Sequence, residues 1–129
     1  MKQPNIIGNR KEYVLKNLKY SYDKLNDLFY AYKENSSIFS NVIIGEFHLE
    51  IDKEGSIVGI EILGASGLLE EYGITKELLE DMQDVIMKIV SRNNSLIVFL
   101  IIKTQKIEKS ATITMNNLNS PIIKAIEET

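Results

Sequence analysis

Phe47-His48-Leu49-Glu50-Ile51-Asp52-Lys53-Glu54-Gly55-Ser56-Ile57-Val58-Gly59-Ile60-Glu61-Ile62-Leu63 is the stretch on which the fold turns. Phe47, Leu49 and Ile51 alternate with Glu46, His48 and Glu50, so one face of a strand is apolar and the other polar. Asp52-Lys53-Glu54-Gly55 then turns the chain. Aspartate suits the first position of a type I turn, and Gly55 can take the positive φ that follows it. The chain returns through Val58, Ile60 and Ile62, which alternate with Gly59, Glu61 and Leu63. A glycine inside a strand, as at Gly59, marks a bulge or a close backbone approach. This is an antiparallel hairpin with one dry face.

Outward from it, Leu18 to Tyr22 and Leu28 to Tyr32 are aromatic-rich and roughly alternating. The turn formers Asp23-Lys24-Leu25-Asn26-Asp27 join them, which predicts a second hairpin. Residues 33–41 form a polar loop around Ile38 and Phe39. Asn9 can cap a short helix opening at Arg10 and running to Leu15.

On the other side, Ser66 can cap a short helical turn from Gly67 to Tyr72 that Gly73 ends. Thr75 can cap one long helix, Lys76 to Arg92. Leu78, Leu79, Met82, Val85, Ile86, Ile89 and Val90 recur at i, i+3/i+4, and Asn93-Asn94 supplies a stop. Leu96 to Ile102 is apolar without alternation, as in a strand covered on both faces. Ala111 to Met115 pairs with it as a C-terminal hairpin over 96–115, and the tail after Pro121 has helical character. The expectation is therefore an α+β fold in a single domain, 1–129, with one long amphipathic helix over 75–92 packed on antiparallel hairpins.

Composition narrows the classes of function. The chain has 129 residues with 15 Lys+Arg, 18 Asp+Glu, one His and no Cys. A net charge of -3 disfavours a general grip on nucleic acid or anionic membrane. Without cysteine there is no disulfide, thiolate metal site or cysteine nucleophile. The N-terminal residues lack a signal-peptide pattern, and no apolar run spans a bilayer, so a cytoplasmic location is expected.

Few residues suggest chemistry. Glu46, His48, Glu50 and Glu61 offer the N and O donors that Zn or Mn takes, and with a desolvated carboxyl they would do acid–base work. Ligands at i, i+2 and i+4 on a flat strand diverge, however, and a solvated sheet face is the plainer reading. No metal or other cofactor is expected. Tyr13, Tyr20, Tyr22, Phe29, Tyr30 and Tyr32, with Lys16, Lys19 and Lys24 nearby, resemble a stacking surface for single strands. Cross-strand packing accounts for them more simply. No calcium loop, phosphate-binding glycine loop or Gly-x-Ser-x-Gly motif occurs.

The series Tyr22-Asp23…Asp27-Leu28-Phe29-Tyr30, then Asp52…Gly55…Val58-Gly59-Ile60-Glu61-Ile62-Leu63…Ala65-Ser66, resembles the family called domain of unknown function 2283. Its members show Tyr-Asp-x-x-x-Asp-x-Leu-Tyr, then Asp-x-x-Gly-x-x-Val-Gly-Ile-Glu-Ile-Leu-x-Ala-Ser. The resemblance covers residues 18–66 and implies a small β-rich module with no established activity. It also implies, by the company such domains keep, an antitoxin-like regulatory partner. Within it, Asp52 and Gly55 build a turn, Gly59 allows close packing and Ser66 caps. Glu61 either bonds the neighbouring turn near Tyr22 or Asp27, or meets a partner.

The functional expectation is a non-enzymatic oligomerising or protein-interaction module, a dimer first and a small protein partner second. Leu96, Val98, Leu100, Ile102 and Ile113 are its candidate interface, because a strand buried on both faces in a small domain needs outside cover. The alternative is a small metal-dependent or acid–base enzyme using His48 and Glu61.

Overall fold

The computed structural model describes residues 5–7 and 10–116. The described chain runs through ten strands and three short helical turns. The strands are β1 (Asn5–Ile7), β2 (Arg10–Leu15), β3 (Lys19–Asp23), β4 (Leu28–Tyr32), β5 (Ser40–Ile44), β6 (Phe47–Ile51), β7 (Ile57–Leu63), β8 (Asp84–Arg92), β9 (Ser95–Lys103) and β10 (Glu108–Met115). Between β7 and β8 lie α1 (Ala65–Leu69), a 3-10 turn (Glu70–Tyr72) and α2 (Lys76–Glu80). Two sheets result, with strand orders β1-β2-β8-β9-β10 and β3-β4-β7-β6-β5. Every pairing is antiparallel.

The alternation at 47–62 sets the second of these sheets. Phe47, Leu49 and Ile51 of β6 are buried, as are Ile60 and Ile62 of β7 and Phe29 and Ala31 of β4. In register, Ile62 sits between Phe29 and Phe47, and Ile60 between Ala31 and Leu49. A β-bulge shifts the β6–β7 register at Glu50/Ile51. Asp52 makes the turn: its backbone carbonyl accepts from Gly55 N at 3.2 Å, and Gly55 takes φ 80.

The α+β expectation is overturned, because the long helix does not form. Thr75 does cap a helix, accepting from Leu78 N at 3.2 Å. That helix ends at Glu80, and the chain then runs as β8. Val85, Met87, Ile89 and Ser91 of β8 are buried opposite Ile102, Leu100, Val98 and Leu96 of β9. The sequence supports both periods here. Ile86 and Val90 stand on the other face of β8 and complete a false helical stripe. The β-branched content, Val85, Ile86, Ile89 and Val90, is the strand signal that the spacing masks. Asn93-Asn94 is the turn of the β8–β9 hairpin, with Asn93 at φ 54, a conformation asparagine tolerates.

Three smaller expectations also change. Arg10–Leu15 is strand β2, paired with β8, and not a helix. The 33–41 loop gives way at Ser40 to β5, a strand the polar residues conceal. Leu96 to Ile102 alternates after all: Leu96, Val98, Leu100 and Ile102 are fully buried, while Ile97, Phe99 and Ile101 are half-buried. The helical tail after Pro121 lies outside the described residues.

Buried side chains of both sheets form one contiguous core, which Ala65, Leu69, Ile74, Leu78 and Leu79 from the helical connection also enter. Among the described residues no helix is long and apolar enough to cross a membrane.

Candidate functional site

The motif residues gather at two polar nodes on the β3-β4-β7-β6-β5 sheet. The first is Asp27, in the β3–β4 turn at φ 52. Asp23 shapes that turn, accepting from Asn26 N at 3.0 Å and from the Asn26 side-chain amide at 2.8 Å. These bonds hold its carboxyl below the usual range. Tyr22 OH donates to Asp27 Oδ1 at 2.5 Å. Ser66 N donates to the same oxygen at 3.0 Å, and Ser66 Oγ donates to Oδ2 at 2.8 Å. The Asp27 carbonyl accepts from Ala65 N at 3.0 Å. Asp27 therefore caps α1 from another hairpin. Gly64, at the cap position, supplies no side-chain bond, and Ser66 is a donor to the cap and not the cap itself.

The electrostatics follow from these bonds. Partial burial pushes the Asp27 carboxyl up, but the hydrogen bonds from Tyr22 and Ser66 and the charge of Lys76 outweigh it, and its pKa is lowered. Burial and the bond to Asp27 push the Tyr22 phenol up to about 12.

The second node lies on the outer face of the sheet. Tyr30 OH donates to Glu50 Oε1 at 2.6 Å, and the Tyr30 and Tyr32 rings stack 4.8 Å apart. In register, Gly59 lies between Tyr32 and Glu50. A Cβ on Gly59 would collide with Glu50 Oε1 and crowd Tyr32 Cβ at 3.2 Å. Glycine lets the Glu50 side chain lie across β7 and reach β4. Burial, then the Glu50 hydrogen bond and charge, drive the Tyr30 phenol far above its usual pKa. Glu61, in the next row, meets His48 Nδ1 at 3.2 Å, with both side chains about one-third exposed. Its partner is on β6, and not in the neighbouring Tyr22–Asp27 turn.

The sequence-derived metal set does not converge. His48 and Glu61 meet, but Glu50 is held by Tyr30, and Glu46 sits in the β5–β6 turn, its carbonyl accepting from Leu63 N at 3.0 Å. Among the described residues no group of three or more His, Asp or Glu could hold a metal ion. The aromatic set also divides. Tyr13 and Phe29 are buried, Tyr20 and Tyr22 pack against the core, and Tyr30 and Tyr32 stand on the outer face. Of the sequence-derived interface residues, Leu96, Val98, Leu100 and Ile102 fill the core, and Ile113 faces Val98 half-buried. An open cleft of about 820 Å³ lies between α2 and the β9–β10 turn, lined by Glu77, Glu80, Asp81 and Lys106 among others.

The feature that sequence reasoning missed is the β5 edge of this sheet. Among the described residues β5 pairs with β6 alone, so its other side meets no described strand. Ile38, Phe39 and Ile43 are 49%, 71% and 63% exposed there. No charged residue occurs over residues 35–45. That run of Ile, Phe, Val and Ile among Ser and Asn was the available signal.

Comparison with known proteins agrees with the motif. Residues 19–66 match the model of a family described as protein of unknown function (DUF2283). They span β3 to the start of α1 and hold both polar nodes. An uncharacterised protein of Methanocaldococcus jannaschii is 34% identical over 65 residues, 49% of this chain and 56% of its own length. The chain thus spans little more than half of that curated relative. No solved structure matches.

Proposed function

We propose that the chain is a protein-interaction module whose docking surface is the open β5 edge. One observation carries this reading: an uncharged edge strand with no second partner strand among the described residues, bearing exposed Ile43 and preceded by exposed Ile38 and Phe39. An open edge offers a row of backbone donors and acceptors to another strand. Sheets usually blunt such edges with charge, proline or a bulge. β5 has no charged residue and no proline. The two polar nodes hold the edge in place, because they tie β3–β4 to α1 and β4 to β6. An antitoxin-like role would be one instance of such docking.

The test is hydroxyl-radical footprinting of the assembly isolated from its own cells, before and after dissociation. Phe39 and Ile43 are expected to be shielded in the assembly and reactive afterwards. Leu25, 92% exposed in the β3–β4 turn, serves as a reactive control. Equal reactivity of Phe39 and Ile43 in both samples would overturn the reading.

A further inference from the structure

We propose that the strand docking on β5 is β5 of a second copy of this chain, paired antiparallel about a two-fold axis at Val42. The inference rests on β5 being a docking edge and adds the occupant and the register.

An uncharged edge fits its own copy. A two-fold axis brings a patch onto its own copy, so an edge without charge leaves no charge unpaired in the seam. Two other edges differ: β3 carries Lys19 and Asp23, and β10 carries Glu108 and Lys109, charges that blunt an edge. β1 is three residues long. β5, Ser-Asn-Val-Ile-Ile, brings no charge to its own copy.

Backbone geometry selects the register. Ile44 and Phe47 flank a two-residue turn, Gly45-Glu46, with Gly45 at φ 59. Such a turn closes on a hydrogen-bonded pair, and bonding alternates along antiparallel strands. The N–H and C=O of Ile44 and Val42 therefore point to β6, and those of Ile43 and Asn41 point to the open side. A second β5 can satisfy those four groups when Asn41 of one copy faces Ile43 of the other. The axis then passes through Val42. The pairing spans Asn41 to Ile43 and stops short of Phe39, whose N–H donates to Ile51 O of β6 at 2.8 Å. Two five-stranded sheets, one from each copy, become one continuous sheet.

The native chain has no cysteine, so a single introduced thiol reports the register cleanly. Non-hydrogen-bonded antiparallel pairs place their Cα atoms about 4.5 Å apart, within disulfide reach. Val42→Cys is expected to oxidise in air to a covalent dimer, and Leu25→Cys is not. Asn41→Pro removes a donor on the open side only and should weaken self-association about tenfold or more. Ile43→Lys places a charge on the edge and should act in the same direction. Sedimentation velocity over a concentration series reads association, and circular dichroism checks that each variant is folded. A wild-type chain that stays monomeric at every concentration would overturn the inference. So would a dimer that ignores folded Asn41→Pro and Ile43→Lys. If the chain alone is monomeric while Phe39 and Ile43 are shielded in the cellular assembly, self-pairing falls and the docking reading stands. If neither shielding nor self-association is seen, both fall.

Discussion

The two sheets are held in different ways. In the β1-β2-β8-β9-β10 sheet, apolar cross-strand pairs fill the inner face: Met87 against Leu100, Ile89 against Val98, Leu96 against Met115. In the β3-β4-β7-β6-β5 sheet, an apolar inner face is joined by side-chain bonds between distant elements. Asp27 reaches 39 residues to Ser66, and Tyr30 reaches 20 residues to Glu50. Apolar burial is strong but undirected, whereas hydrogen bonds fix angle and register. The first sheet supplies cohesion. The second places a strand edge, and the family match falls on it.

The largest expected effect tests the cohesive sheet. Leu100→Ala removes a fully buried side chain between Met87 and Ala111 and should cost about 3 kcal/mol in chemical denaturation. A cost near zero would mean that this sheet contributes little.

Asp27→Ala should cost about 2 kcal/mol, since it leaves Tyr22 OH and two Ser66 donors without their acceptor. Its pH dependence has a definite sign. The folded pKa of Asp27 is lowered. Its stabilisation is therefore present above the unfolded value of about 3.9 and is lost as pH falls through the folded value. Asp27→Asn should melt lower than wild type at neutral pH, and the gap should close in acid. A gap that widens in acid would break the comparison.

A smaller loss, about 1 kcal/mol, is expected for Gly59→Ala, because Glu50 must move off β7 and release Tyr30. Glu50→Gln sharpens this without steric change. In an absorbance titration, Tyr22 ionises near 12 in the folded chain, so the stability it gives is present below about 10 and is lost above 12. Tyr30 also titrates late, and Glu50→Gln should move Tyr30 down while leaving Tyr22 in place. The smallest stability effect, within about 0.5 kcal/mol, is expected for Ile43→Lys, since an exposed edge residue of the single chain holds little.

The sequence carried the polar sheet better than the apolar one. At 47–62, polar residues mark the outer face, so alternation is visible and the turn at Asp52 and Gly55 follows from local chemistry. At 84–92 the outer face is also apolar, at Ile86 and Val90, and this filled in a helical spacing that a helix cap at Thr75 made plausible. β5 was hidden by Ser40 and Asn41, which look like loop. Gly59 announced a close approach, but not that Glu50 makes it. The role of Asp27 was not legible, because its partners lie across the fold at Ser66 and Ala65. Glu61 was singled out, yet its contact with His48 depends on strand register.

The central claim is that the polar sheet presents β5 for pairing. Amide hydrogen exchange at two protein concentrations tests it most directly. The backbone N–H groups of Asn41 and Ile43 should be protected at high concentration and exchange quickly on dilution. Those of Val42 and Ile44 should be protected in both samples by β6. Rapid exchange of Asn41 and Ile43 at every concentration would contradict the account.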